Sequence, residues 1–151
     1  MDTMDTDLIT QRVDEIAAIV RRVSESESVG KILAVFLYGS ALSRLFRPDS
    51  DLDIAVLDSP ERPLDWSAQA KLMDRLERAT GHGVDLRMLR ESSLSHQAHV
   101  IDEGRMVWTR DPAEVEHYAR EARAAARQGR AGSESRWSQT LDRLARTAAA
   151  R

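Results

Sequence analysis

The stretch VFLYGSALSRLFRPDSDLDIAVL, residues 35–57, decides how this chain folds. It opens on an apolar run, breaks at Gly39-Ser40, and resumes as a second apolar run headed by Asp51 and Asp53. Runs of this length, rich in branched and aromatic residues, read as strands covered on both faces. Residues i and i+2 of a strand share a face, so Asp51 and Asp53 present two carboxylates side by side where the strand leaves its loop. Such a pair repels itself unless something neutralises it. A structural strand gains nothing from that arrangement, whereas a cation site does.

Working outward, residues 7–23 predict an amphipathic helix, with Ile9, Val13, Ile16, Val20 and Val23 on one face and Asp5 to Asp7 as its capping, negatively charged start. SESES at 24–28 reads as a polar break. KILAVFLYG (31–39) and DLDIAVL (51–57) are the first two strands. DSPERP (58–63) is a loop, and residues 64–80 a helix with Trp66, Ala70, Met73 and Leu76 on one side. GHG (81–83) ends that helix, because glycine suits a left-handed C-cap. VDLRML (84–89) is a third strand, 91–104 a short helix with a serine cap and a glycine stop, and RMVWT (105–109) a short edge strand. The segment 111–129 predicts a helix with Asp at the N-cap and Pro at its first position. Residues 130–151 carry few large apolar groups and read as loose, or as a helix that needs a partner. The order α-β-β-α-β-α-β-α gives an α/β chain of α+β type, a small mixed sheet flanked by helices. We divide it into one domain over 1–129 and an Arg/Ala-rich tail over 130–151, flexible or partner-docking.

At 151 residues the chain is long enough for one domain with a proper core. With no cysteine, disulfides and thiolate metal sites are excluded, and a reducing cytoplasm is the expected home. No apolar run approaches a membrane span, and the acidic MDTMDTDLIT start lacks the regions of a signal peptide. A net charge of −3 provides no global field for nucleic acid.

Asp85 sits early in the third expected strand. If that strand pairs beside the second, Asp51, Asp53 and Asp85 converge. Hard oxygen donors of this kind suit Mg²⁺, which prefers a few carboxylates plus substrate phosphate oxygens. Two ions about 3.5–4 Å apart can activate an attacking oxygen and stabilise a leaving one. Gly39-Ser40 follows a strand and precedes ALSRLF, which can start a short helix. Glycine admits close backbone approach, and amides at a helix start with a serine hydroxyl favour an anion. Arg44 and Arg47 lie near enough in sequence to neutralise phosphates. Each element alone is commonplace. Their combination is not.

GSALSRLFRPDSDLD fits the pattern G-S-x10-D-x-D. It resembles the nucleotidyltransferase superfamily that includes DNA polymerase beta, and more closely the small bacterial MNT (minimal nucleotidyltransferase) proteins. FLYGS, RPDSDLDIAVL, VDLRML and HVIDEGRMVW agree with it, so the resemblance covers roughly residues 8–120. It implies the polymerase-beta-like fold and transfer of a nucleoside monophosphate from an NTP to an acceptor hydroxyl. It implies that Asp51, Asp53 and Asp85 are the catalytic, metal-binding residues for two Mg²⁺ ions. It further implies that Gly39, Ser40, Arg44, Arg47 and Ser50 bind the nucleotide, ATP. Closest are the MntA-like antitoxins encoded beside HEPN toxins, which implies AMP transfer to a tyrosine of a partner HEPN toxin and a hetero- or homo-oligomer. The brevity of the region after the last strand agrees, since the acceptor surface must then come from a partner. The family often continues after Gly-Ser with Arg-x-Arg-Gly, whereas here the segment is Ala41-Leu42-Ser43-Arg44. Two alternatives stay open: a catalytically weak module that neutralises a toxin by contact, and an adenylyltransferase acting on a small molecule or RNA.

Other features read blandly. His96 and His99 have a zinc-compatible spacing but no third ligand nearby, and are expected in the core or at the surface. RDPAEVEH (110–117) matches the loose Arg-x6-His spacing of HEPN ribonucleases, but those are all-helical. Trp66 and Trp108 are expected in the core or an interface, and Trp137 in the tail suggests docking.

Overall fold

A computed structural model describes residues 3–27 and 32–149, with side chains except at 130–137 and 147–149. Eight main elements follow the expected order: α1 (Thr3–Glu27), β1 (Ile32–Tyr38), β2 (Leu52–Asp58), α2 (Trp66–Thr80), β3 (Val84–Met88), α3 (Leu94–Glu103), β4 (Arg105–Thr109) and α4 (Pro112–Ala149). Short 3-10 turns occupy Gly39–Leu42 and Leu89–Glu91.

The strands form one sheet in the order β3-β2-β1-β4. β1 runs antiparallel to β2 and to β4, while β2 and β3 are parallel, so the sheet is mixed. β1 is buried along its whole length, as a continuous apolar run requires. β4 is an edge strand. Alternation divides the central strands between two layers. Leu52, Ile54, Val56 and Val84 pack with Val13, Ile16 and Val20 of α1 and Leu72 and Leu76 of α2. Ala34, Phe36, Tyr38, Ala55 and Leu57 pack with Val100 of α3 and Val115, Tyr118 and Ala122 of α4.

The helix boundaries follow from local chemistry. Asp65 caps α2 by accepting from the Ala68 amide at 2.8 Å, and Gly81 ends it with φ of 73°. Ser93 caps α3 through the His96 amide at 3.1 Å. Asp111 accepts from the amides of Ala113 and Glu114 at 3.1 and 3.2 Å, with Pro112 the first residue of α4.

Three expectations are corrected. α1 begins at Thr3, so Asp5 and Asp7 lie within the helix; they favour its positive end by charge rather than by capping. Nor does the helix break at Ser24. The Ser24 and Ser26 hydroxyls turn back onto the carbonyls of Val20 (2.7 Å) and Val23 (2.9 Å), which keeps these polar side chains satisfied inside a helix. On α2 the buried stripe is Leu72 and Leu76 with Ala68 packed beside it, whereas Trp66 is 86% exposed, so it is no core residue. Trp108 is half-buried against the core, as expected. The side chain of Trp137 lies outside the described residues. α4 continues through residues 130–149 as one helix of 38 residues, about 57 Å long at 1.5 Å per residue.

Candidate active site

Register places the carboxylates. Tyr38 ends β1 opposite Asp53 at the head of β2, and Asp53 is opposite Asp85 on β3. Three neighbouring strands therefore deliver Tyr38, Asp53 and Asp85 abreast, on the face that carries α3 and α4. Asp51 precedes the strand, where the Leu52 amide bonds to the Gly83 carbonyl at 2.8 Å.

Two glycines make room for the acids. Gly39 has φ of 73°, and a Cβ there would overlap the Asp53 carboxylate. A Cβ on Gly83 would overlap the Asp51 carboxylate. The glycine of the Gly-Ser pair is thus required twice over, by backbone conformation and by the aspartate fourteen residues on.

The electrostatics agree with a site built for positive charge. Burial and then the neighbouring Asp85 push the Asp53 carboxyl above its ordinary value, with Asp51 adding to the effect and Arg87 and His96 opposing it. Burial, followed by Asp53 and Asp85, pushes the Tyr38 hydroxyl up to about 12. Arg87 stands 3.5 Å from Asp85 as a partial counter-ion. His96 meets the Tyr38 ring edge-on, with centroids 5.3 Å apart. Its Nε2 is buried without a hydrogen-bond partner among the described residues. Burial, then Arg87 and His99, hold its pKa below the ordinary value against the pull of Asp53 and Asp85.

The expected residues are not all brought to one point. Asp53 and Asp85 are paired directly and Asp51 flanks them, but among the described residues no three acidic, His or Cys side chains stand in ready metal-holding geometry. The Ser40 carbonyl accepts from the amide and the hydroxyl of Ser43 at 2.9 and 3.0 Å, closing the turn after Gly39. The Ser50 hydroxyl accepts from the Arg47 amide at 2.9 Å, so it serves the turn before Asp51. Arg44 and Arg47 are exposed. Arg47 lines a cavity of about 540 Å³ with Arg12, Phe46 and His82, on the α1–α2 side of the sheet, opposite the face of Asp53 and Asp85.

Sequence reasoning missed Arg87, His96 and Tyr38. Arg87 was within reach, because it shares a strand face with Asp85 two residues earlier. His96 was not, since its approach to Tyr38 depends on how α3 docks.

The family model described as "Polymerase beta, Nucleotidyltransferase" matches residues 19–113, more than half of the chain. The chain belongs to this family and carries a nucleotidyltransferase domain. Spectinomycin 9-adenylyltransferase of Campylobacter jejuni is 33% identical over 78 residues, which make up 52% of this chain but only 28% of that protein. Among solved structures, a toxin–antitoxin crystal structure with AMP-PNP superposes with a TM-score of 0.67 at 24% identity, covering 83% of this chain and 98% of that one. A tri-AMPylated Shewanella oneidensis HEPN toxin in complex with MNT antitoxin gives a TM-score of 0.65 at 22% identity, covering 85% and 98%. At these identities the structural likeness establishes the fold. Among the described residues no helix is long and apolar enough to cross a membrane.

Proposed function

We propose that this chain is an Mg²⁺-dependent adenylyltransferase that moves AMP from ATP onto a hydroxyl, a tyrosine, of a partner HEPN toxin and so acts as its antitoxin. The observation that carries the reading is the registered pair Asp53–Asp85 beneath Gly39. Two structural neighbours support the partner and the nucleotide: a toxin–antitoxin structure with AMP-PNP, and an MNT antitoxin in complex with a tri-AMPylated HEPN toxin.

The residues fit divalent metal as a donor set. They are hard carboxylate oxygens, and the raised pKa of Asp53 together with the Arg87 contact to Asp85 marks a place where negative charge awaits a cation. Asp51 and Asp53 would bind both ions and Asp85 would complete the second site. Bound there, Mg²⁺ supplies charge neutralisation for the triphosphate and favours loss of the acceptor proton. The chain's own part is positioning. Gly39 and Ser40 hold the triphosphate close to the backbone, with Arg44, Arg47 and Ser50 on the same loop. Arg87 neutralises Asp85 until the site fills. A buried Tyr38, kept protonated, forms an uncharged floor beside Asp53.

Residues 130–151 dock the partner in this reading. Leu141 and Leu144, 49% and 60% exposed, lie three residues apart on the distal part of α4.

The test incubates the protein with labelled ATP, Mg²⁺ and a HEPN protein encoded beside it, and reads intact mass. Added AMP units that vanish in Asp51→Asn/Asp53→Asn establish the enzyme. A stable complex without mass gain supports neutralisation by contact, for which the Ala41–Arg44 segment leaves room because the family's usual glycine is lost and its arginines are displaced. If neither a mass gain nor a complex appears, the search turns to a small-molecule or RNA acceptor, the first being the kind of acceptor named for the Campylobacter relative.

A further inference from the structure

We infer that Arg12, far away in α1, is the positioning residue of the loop that binds the triphosphate, acting through an Arg12–Phe46–His82 clamp. The inference rests on the proposed function only for what the loop binds.

Residues 39–51 leave the sheet at Tyr38 and re-enter it at Leu52, so their backbone has no strand ladder to hold it. Arg12 replaces that ladder. Its Nη2 donates to the carbonyls of Ala41 at 3.0 Å and Ser43 at 2.6 Å, twenty-nine and thirty-one residues away in sequence. These are carbonyls of the turn that begins at Gly39-Ser40. The same guanidinium lies over the Phe46 ring, 4.9 Å from its centroid. The other side of the loop is held from the α2–β3 connection. The His82 ring stands 4.9 Å from Phe46, and its Nδ1 is 3.1 Å from the Ser50 carbonyl. Phe46, itself buried, is thus gripped between a cation and an imidazole, and the loop is fixed at 41, 43, 46 and 50.

Only a guanidinium suits this position. Its Nη2 serves both carbonyls while its flat face stacks on the aromatic ring and its Nε is buried without a hydrogen-bond partner among the described residues; a compact ammonium cannot combine the two carbonyl bonds with that stacking. A loop fixed before the ligand arrives pays less ordering entropy when it binds. Arg12 touches no substrate position, so its effect falls on nucleotide binding and not on the chemical step.

The experiment compares wild type, Arg12→Met and Arg12→Lys, with Arg21→Met as a control from the same helix, whose ion pair with Glu25 is exposed. It reads KM for ATP against kcat, and amide hydrogen exchange over 40–47. Arg12→Met is expected to raise KM about tenfold with kcat held within about threefold. Exchange should quicken at 40–47 and stay unchanged in β1 and β2. Arg12→Lys should recover less than half of the loss. An unchanged KM, or a loss of kcat and KM together with faster exchange throughout the sheet, overturns the inference. If Arg12→Met fails to fold, Arg12→Lys carries the same readouts. If wild type neither binds nor transfers nucleotide, the functional reading fails, while local exchange at 40–47 still decides the clamp.

Discussion

The two faces of the sheet use the same strands for different ends. On the α1–α2 face, Leu52, Ile54, Val56 and Val84 meet Leu72 and Leu76 in a sealed apolar layer. The α3–α4 face is apolar only toward its far end, at Ala55, Leu57, Leu89 and Val100. Near the strand heads it turns polar, with Asp53, Asp85, Arg87 and His96 drawn into mutual electrostatic contact. One face therefore supplies stability and the other holds charge that works against it. Substitutions in the apolar layer and at the charged strand heads should separate along that line, with Arg12 the exception because it grips the 39–51 loop from the α1–α2 side.

The largest expected effect lies on the charged face. Asp53→Asn keeps shape and removes a charge that the proposed function assigns to metal binding, so AMP transfer should fall by about 10³-fold or more, roughly 4 kcal/mol of barrier. Unfolding by urea should show no matching loss of stability. Transfer at more than a tenth of the wild-type rate would break the division of labour. Next is the mirror case. Leu76 is fully buried in the apolar layer between α2 and the sheet. Leu76→Ala should cost roughly 3 kcal/mol by urea or thermal melting, while KM for ATP in the folded fraction stays within about twofold. A large change in KM would show that the apolar layer itself, and not only the Arg12 clamp, tunes the site.

A matched pair of glycines sharpens the comparison further. Gly39 and Gly81 share φ of 73°, but only Gly39 has a carboxylate where a side chain would go; Gly81 has nothing within 4 Å. Gly81→Ala should therefore cost only the strain, about 1 kcal/mol, and leave transfer intact. Gly39→Ala should cost at least as much and also displace Asp53, lowering transfer by about 10²-fold. Equal activities for the two variants would mean that the contact with Asp53 is incidental.

Much of this division could be read from the sequence, and where it could not, the reason is physical. Strand alternation and continuous apolar runs report directly on local burial, so β1, β2 and β3, and the pairing of Asp53 with Asp85, were within reach of residues 31–89. The caps at Asp111 and Ser93 and the stop at Gly81 are local hydrogen-bond and backbone chemistry, and they too were legible. The register of a helix face against a sheet is not local, which is why the sequence left Trp66 between core and interface; its exposure excludes the core. Ser24 and Ser26 suggested a break because their self-bonding to earlier carbonyls cannot be told apart from chain termination in the sequence. Arg12 and His96 reach the site through docking of α1 and α3, across separations that no short motif records.

The smallest effect is the most direct measure of the charge stored on the α3–α4 face. The Asp53 carboxyl has an ordinary value near 3.8, which burial and Asp85 raise in the fold. Below that ordinary value the group is protonated in both the folded and unfolded chain, and the fold is undisturbed. As pH climbs through the raised value, the unfolded chain has already ionised at no cost, whereas the folded chain must place a charge beside Asp85. Stability associated with Asp53 is thus present at low pH and lost as pH rises. Asp53→Asn removes the loss, so its melting temperature should match wild type near pH 3.5 and exceed it slightly at pH 7. The gap is small because solvent screens the charge at this part-exposed group. Adding Mg²⁺ with AMP-PNP at pH 7 should close or reverse the gap, because the neutralised wild-type site no longer carries the repulsion. A gap that is constant across pH would assign the effect to packing, and would mean that the two faces differ in composition without differing in what they contribute to stability.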